Sequence, residues 1–387
     1  MKPTTFMLIA GEPSGDLLGA ELVAALKLKR GAPAAKFFGA GGAKMAAAGV
    51  DLAFDMTQHS VIGLWEVLRR YGTFKRLFDQ LLILALERKP DVLVCVDFSG
   101  FNRRFAAALR WEIRLQPRRF AGWRPRIVQF VSPQVWASRP ARARKMARDF
   151  DLLLSIFPFE QDWYAEHAPA MRVEFVGHPM GDRHANEGPP RKVPNEQPVV
   201  LLLPGSRVGE LKRHLPVMVS AARLLSAKRE LTFHMVLPSE KLAAQARGQL
   251  SATDNIQVQT GGLAEMLARA DLAIASTGTV TMECAFFGVP TVTLYKTSWG
   301  TYQVGKRIVK VKSLTMPNLL AGEAVFPEFI QDAATPENIS GAAHELLNDA
   351  PRCERIRAQL AKIVGSLGGS GACQRAAAAI WNLVDKP

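Results

Sequence analysis

Asp97 closes an apolar run, Asp91-Val92-Leu93-Val94-Cys95-Val96-Asp97, and Phe98-Ser99-Gly100-Phe101-Asn102 carries the chain into a helical pattern. A carboxylate at the carboxyl end of a buried strand stands where open α/β sheets take their ligands. It is placed to accept a proton from a substrate hydroxyl as a general base. A cap for the next helix, by Asp97 or Ser99, explains the same position. Spacing alone leaves the two readings even. The turn Gly11-Glu12-Pro13-Ser14-Gly15-Asp16 is built alike: the apolar run Phe6–Ala10 precedes it and a helical pattern follows. A helix start leaves backbone N–H groups open to an anion or polar ligand. Two carboxylates in one turn disfavour a plain phosphate cradle. The turn matches neither G-x-G-x-x-G nor a phosphate loop ending in G-K-[ST].

Two further turns repeat the pattern in the second half. Leu203-Pro204-Gly205-Ser206-Arg207 follows a strand-like run, and the Arg207 guanidinium fork suits a phosphate. A solvated surface arginine is the plainer alternative. Ser276-Thr277-Gly278-Thr279 follows Asp271–Ala275, and Glu283 lies one turn into the next helix. Its N–H groups and hydroxyls suit a diphosphate, and Glu283 suits the two hydroxyls of a ribose. A capped helix whose acid complements the dipole is again the alternative.

The elements that must hold these turns alternate along the chain. Strand patterns at 5–10, 36–40, 91–96, 127–131, 151–156 and 173–176 intersperse with helical ones at 17–29, 42–48, 61–87, 102–115 and 140–148. Gly181 to Pro198, rich in proline and charge, reads as a linker. Strands at 199–203, 232–237, 256–259, 272–275 and 291–295 then alternate with helices at 209–228, 239–249, 262–269 and 279–287. The expected class is α/β, with two doubly wound halves facing a cleft. The expected boundaries are 1–182, a linker at 183–198, a second domain at 199–368, and a last helix within 369–387 that packs back on the first.

Composition narrows the function. The 387 residues carry a net charge of +14, and 48% are hydrophobic. Residues 103–148 hold 13 Lys/Arg against the single acid Glu112, so +12 of that charge sits in one segment. Such a patch attracts phosphorylated substrates, anionic lipid or nucleic acid. The segment has no recognition-helix or base-stacking signature, which disfavours nucleic acid. Cys95, Cys284, Cys353 and Cys373 lack metal-ligand spacing, and the histidines form no zinc motif. Neither a metal nor a cofactor is expected. No secretory signal or spanning segment is visible, which places the chain in the cytoplasm. Val61, Leu64, Trp65, Leu68 and Tyr71, interleaved with Arg69 and Arg70, form a basic amphipathic stretch suited to a membrane interface or acyl chains. For 74–86 the stripe reads as core packing.

Together these motifs resemble the lipid-A-disaccharide synthases, bacterial glycosyltransferases of the GT-B type. The resemblance also takes in Gly63–Val67, Lys89-Pro90-Asp91, Val131-Ser132-Pro133-Gln134-Val135-Trp136-Ala137, Phe157-Pro158-Phe159-Glu160, Val176-Gly177-His178-Pro179 and Met316-Pro317-Asn318-Leu319-Leu320. It spans most of the chain in order. It implies transfer of 2,3-diacylglucosamine from its UDP derivative to the 6-hydroxyl of 2,3-diacylglucosamine 1-phosphate with inversion, giving a β-1,6 disaccharide and UDP. The family's catalytic aspartate falls on Asp97 and its essential arginine on Arg207. Ser206, Ser276, Thr277, Gly278, Thr279 and Glu283 are implied to hold the uridine diphosphate. Glu12, Ser14, Asp16 and Asn102 are implied to face the sugars, and Asn318 the donor. The implied partners are these two substrates and the anionic cytoplasmic face of the inner membrane, with a homodimer left open and no nucleic acid. Some relatives carry a second acid three residues after the catalytic aspartate; here that position is Gly100. The rival readings are another GT-B enzyme acting on UDP-N-acetylglucosamine, such as a 2-epimerase or cell-wall glycosyltransferase, and a non-enzymatic anion-binding protein.

Overall fold

The computed structural model describes residues 3–30, 35–57, 71–184, 197–308 and 311–385. It divides into two compact units, one formed by Met1–Arg183 with Leu367–Pro387 and the other by His184–Ser366. The segment 58–70, with Val61, Leu64, Trp65 and Leu68, lies outside the described residues, as does most of the expected linker.

The N-terminal unit is a parallel sheet of β1 (Thr4–Ala10), β2 (Ala35–Gly41), β3 (Asp51–Asp55), β4 (Val92–Val96), β5 (Arg126–Phe130), β6 (Leu152–Ser155) and β7 (Val173–Phe175). Their spatial order is β3-β2-β1-β4-β5-β6-β7. Strand order reverses between β1 and β4, where Ala10 pairs with Val96. All five residues of β4 are buried, as a strand covered on both faces requires. β3 escapes the sequence reading because Asp51-Leu52-Ala53-Phe54-Asp55 is an edge strand with only partial burial.

Helices cover both faces. In Tyr71–Arg88, Leu81 and Ala85 are buried and Phe78 packs edge-on against Phe101 and Phe105 at 5.3 and 5.5 Å. The stripe at 74–86 is therefore core packing. The last helix, Ala372–Asp385, belongs to this unit. Trp381 is 2% exposed, donates from Nε1 to the Leu26 carbonyl at 3.2 Å, and meets Phe6 edge-on at 5.2 Å. Asp182 caps the helix from outside by accepting from the N–H groups of Gly371, Ala372 and Cys373.

A carboxylate lies deep inside this unit. Glu160, in the helix Phe159–His167, is fully buried and accepts from Ser155 Oγ at 2.6 Å and Trp136 Nε1 at 3.0 Å. Burial pushes its pKa up to about 6, against the pull of those hydrogen bonds.

The C-terminal unit repeats the plan with β8 (Val199–Leu203), β9 (Thr232–Leu237), β10 (Ile256–Thr260), β11 (Leu272–Ser276), β12 (Thr291–Tyr295) and β13 (Glu328–Ile330). The parallel order is β10-β9-β8-β11-β12-β13, the strand order of the complete dinucleotide-binding fold. Here the reversal falls between β8 and β11, where Leu203 pairs with Ala275. The helices Pro336–Asn348 and Ala350–Ser366 close one side of its core. All four cysteines are buried thiols.

Trp381→Ala is expected to lower the stability of the N-terminal unit by about 3–5 kcal/mol in urea unfolding. Glu160 titrates higher folded than unfolded, so its contribution is present below about pH 4.5 and is lost as pH rises through about 6. The stability difference between Glu160→Gln and the natural chain should therefore move about 2 kcal/mol in the variant's favour from about pH 4 to pH 7. A pH-independent difference would contradict this.

Candidate active site

In the N-terminal unit the turns after β1 and β4 meet at the strand-order reversal. A Cβ on Gly11 would lie 2.4 Å from Cδ1 of Phe98, so only glycine lets the two turns approach. The helix Pro13–Arg30 starts there, with Ser14 exposed and Asp16 buried. Asp16 does not stand free for a sugar. Its Oδ1 accepts from the N–H groups of Gly42 at 2.7 Å and Met45 at 3.0 Å, and its Oδ2 from that of Lys44 at 3.0 Å. The carboxylate thereby satisfies the start of the short helix Ala43–Ala47. Glu12 differs: it lies close enough to Asp97 to raise that residue's pKa by charge repulsion.

Asp97 is not a helix cap. The helix Ser99–Leu115 begins after Phe98, and no side chain caps it. Burial raises the Asp97 pKa first, Glu12 raises it further, and the Phe98 N–H opposes both. The backbone here is unusual. Asp97 and Phe98 have φ of 47° and 44°, and Val131, just past β5, has 70°. Half of the six non-glycine residues with positive φ among those described therefore cluster at the ends of two adjacent strands. Such conformations cost about 1–3 kcal/mol each and persist only where surroundings enforce them. Asn102, fully buried, helps enforce this one. Its Nδ2 donates to the Asp97 carbonyl at 2.8 Å and lies 3.3 and 3.4 Å from the carbonyls of Val96 and Ile9. Asn102 thus braces backbone. A Cβ on Gly100 would meet nothing within 4 Å. The second acid found in some relatives would have room there, but this chain lacks it.

The Val131–Ala137 loop follows β5. Trp136 is anchored by Glu160, and Ser132 Oγ lies 3.4 Å from the Tyr164 hydroxyl. The adjacent basic segment is partly neutralised by acids just beyond it. Arg110 pairs with Asp151 at 2.5 Å, while Arg110 and Arg114 lie near Asp149. Arg103, Arg104, Arg139 and Arg142 lie close enough together that the other three lower the pKa of Arg142, behind the larger effect of its desolvation.

In the C-terminal unit two turns likewise meet at the strand-order reversal. Gly205, with φ 117°, lets the chain leave β8 sharply, and Arg207 occupies the N-cap of the helix Val208–Ser226. Arg207 pairs with Glu210 at 3.0 Å while remaining 43% exposed, so the pair is solvated and weak. Glu210 also accepts from the Ser206 N–H at 3.0 Å. Across the reversal Ser276 is buried, and Gly278 and Thr279, both exposed, open the helix Thr279–Phe286. Gly278 has φ 151° and nothing within 4 Å of where a Cβ would stand. Glu283 is partly exposed within that helix.

Asn318 is buried and fully committed. It exchanges hydrogen bonds with Phe326, Nδ2 to carbonyl and N–H to Oδ1, both at 2.8 Å, and donates to Glu328 at 2.8 Å. Glu328 also takes the N–H groups of Leu314 at 2.8 Å and Thr315 at 3.0 Å. The motif carrying Asn318 therefore folds a loop. His214 is a residue the sequence reading missed. Buried in the helix after Arg207, its Nδ1 donates to the Pro204 carbonyl at 2.8 Å, and its Nε2 accepts from the Lys296 N–H at 3.1 Å. These bonds require the neutral ring, and burial lowers its pKa accordingly. No local signal marks it, since its partner on β12's end is 82 residues away.

Comparison with known proteins places this geometry. A family model for lipid-A-disaccharide synthetase matches residues 6–382. A lipid-A-disaccharide synthase of Myxococcus xanthus is 37% identical over 99% of this chain and 98% of its own length. That of Alkalilimnicola ehrlichii is 38% identical over 96% of this chain and 97% of its own. Among solved structures, a UDP-GlcNAc 2-epimerase from Neisseria meningitidis superposes with a TM-score of 0.60 at 13% identity, covering 99% of this chain and all of its own. A calicheamicin glycosyltransferase superposes with a TM-score of 0.60 at 16% identity, covering all of this chain and 99% of its own. At such identities the likeness is one of fold alone, and that fold is GT-B. The near-complete family match and these full-length relatives decide the matter: the chain belongs to the lipid-A-disaccharide synthase family of glycosyltransferases.

Proposed function

We propose that this enzyme transfers 2,3-diacylglucosamine from UDP-2,3-diacylglucosamine to the 6-hydroxyl of 2,3-diacylglucosamine 1-phosphate, with inversion. The products are the β-1,6 lipid A disaccharide 1-phosphate and UDP. The observation that carries the reading is Asp97: an uncapping carboxylate with a raised pKa, on an enforced left-handed turn, at the sheet edge of a chain in this family.

In a single displacement the acceptor oxygen forms a bond to the donor's anomeric carbon as the bond from that carbon to the diphosphate oxygen breaks. The 6-hydroxyl proton passes to the Asp97 carboxylate. A carboxyl whose pKa is raised is a better-matched base than an ordinary one. The charge that develops on the leaving diphosphate falls to Arg207, Ser206 and the helix start at Ser276–Thr279, with Glu283 on the ribose. Glu12 and Ser14 are assigned to sugar hydroxyls. Asp16, Asn102 and Asn318 are assigned to shaping the turns. The basic segment 103–148, with Val61, Leu64, Trp65, Leu68 and Tyr71, is assigned to acyl chains and the anionic cytoplasmic face of the inner membrane. Among the described residues no helix is long and apolar enough to cross a membrane, which fits peripheral attachment.

Asp97→Asn should lower transfer by about 10²–10⁴-fold while UDP still raises the melting temperature. Retained transfer would remove Asp97 from the base role. Transfer in the natural enzyme should fall on the acid side at a pH above the ordinary carboxylate range, because Asp97 must be ionised to act. Glu12→Gln should move that limb to lower pH, since it removes a charge that raises the Asp97 pKa. Arg207→Lys keeps the charge but loses the fork, and should lower kcat by about 10²-fold. Equal use of acylated and unacylated UDP-glucosamine would favour the rival UDP-N-acetylglucosamine reading.

A further inference from the structure

Gln129 interrupts the apolar strand Arg126-Ile127-Val128-Gln129-Phe130 and is fully buried in it. A buried amide in a central strand needs partners, and those of Gln129 are all backbone. Its Nε2 donates to the Asp97 carbonyl at 3.0 Å and the Val131 carbonyl at 3.2 Å, with the Phe130 carbonyl at 3.5 Å. Two of these belong to residues with left-handed φ, on the turns leaving β4 and β5. The turns are also tied directly, by the Asp97 N–H donating to the Phe130 carbonyl at 2.8 Å.

The other end of the amide shows what this arrangement gives up. Gln129 Oε1 is buried with no partner, and so is Asn102 Oδ1. Turning either amide over would set its oxygen against three carbonyl oxygens, so neither orientation is arbitrary. Two buried amides each leave an acceptor unsatisfied in order to place a donor on one carbonyl, that of Asp97. Buried acceptors are rarely left so, and those that are call for a functional account. Asn102 reaches that carbonyl from the helix on the same strand's turn. Gln129 reaches it from the neighbouring strand, and it alone of the two also holds Val131, the first residue of the Ser132–Ala137 loop's approach.

We propose that Gln129 is a positioning residue for sugar transfer, clamping the Asp97 and Val131 peptides so that the Asp97 carboxylate is held at the acceptor hydroxyl. The proposal rests on the reading of Asp97 as the base. It deepens that reading by naming what fixes the base. Gln129 touches neither substrate nor reacting atoms. Its loss should therefore act on the chemical step and spare binding.

The test uses the full-length enzyme with Gln129→Met, which keeps length and apolar volume but has no donor, and Gln129→Asn, whose amide is one methylene short. We expect kcat to fall about 10²-fold for the methionine variant, as misplacing a reacting group by about 1 Å does, and less for asparagine. The KM for each substrate should change less than about twofold, since only transition-state interactions are lost. The acid limb of kcat should move to lower pH as Asp97 relaxes toward solvent, and amide hydrogen exchange should quicken over residues 97–102. Either variant serves if the other folds poorly, with UDP-dependent stabilisation as the check on folding. Unchanged kcat and pH profile in a folded variant would overturn the proposal. So would a kcat loss matched by an equal rise in KM with the acid limb unmoved, which marks a merely structural role. If Asp97→Asn is inactive while Gln129→Met is unaffected, the base survives and only this proposal fails. An active Asp97→Asn removes the base itself.

Discussion

The turn at Asp97–Phe98 is the constraint on which the first unit is organised. Two consecutive non-glycine residues sit in the left-handed region, and Phe98 gains nothing locally from doing so. Its ring instead fills the space over Gly11 and stacks on Phe101 at 5.5 Å, which starts an aromatic row into the core. The glycine after β1, the asparagine one turn into the next helix and the amide inside β5 are all explained by that one backbone reversal. Each is placed on a different element, so the turn draws on β1, β4, β5 and the helix after β4 together.

The second unit solves a similar problem with different residues. Its turn after β8 is tied to the end of β12 by a neutral imidazole, and its 314–328 loop is gathered around Glu328 and Asn318. In both units buried side chains with several hydrogen bonds hold backbone, while the groups suited to ligands lie partly exposed beside them. Arg207 in a solvated pair, Gly278 and Thr279 at an open helix start, and Ser14 beside Glu12 all follow this division.

Much of this was legible in the chain. The alternating strands and helices and the four glycine or carboxylate turns appear as patterns of apolar runs broken by Gly, Ser and acids. β3 and β13 were not: Asp51-Leu52-Ala53-Phe54-Asp55 is bounded by acids, and Glu328-Phe329-Ile330 is only three residues long. The helices between β12 and the last one were missed because their apolar stripes are short and broken by Pro, Gly and charge. Asp97 and Arg207 stood out because charge at the end of an apolar run has few explanations. Asp16, Asn102 and Asn318 were drawn to ligands by their position in motifs, and only their partners reveal bracing roles.

The sequence by itself determined the α/β class, the carboxyl-end placement of its polar turns and the kinship with glycosyltransferases, since these follow from local pattern and the order of motifs. The tertiary structure alone decided which polar residues are free to act. That choice depends on which carbonyls and N–H groups arrive from strands far along the chain. Asp16 is taken by a helix start 26 to 29 residues on, His214 by a peptide 82 residues on, and Gln129 by a carbonyl 32 residues back. Hydrogen bonding over such separations is set by strand pairing, which no local spacing records.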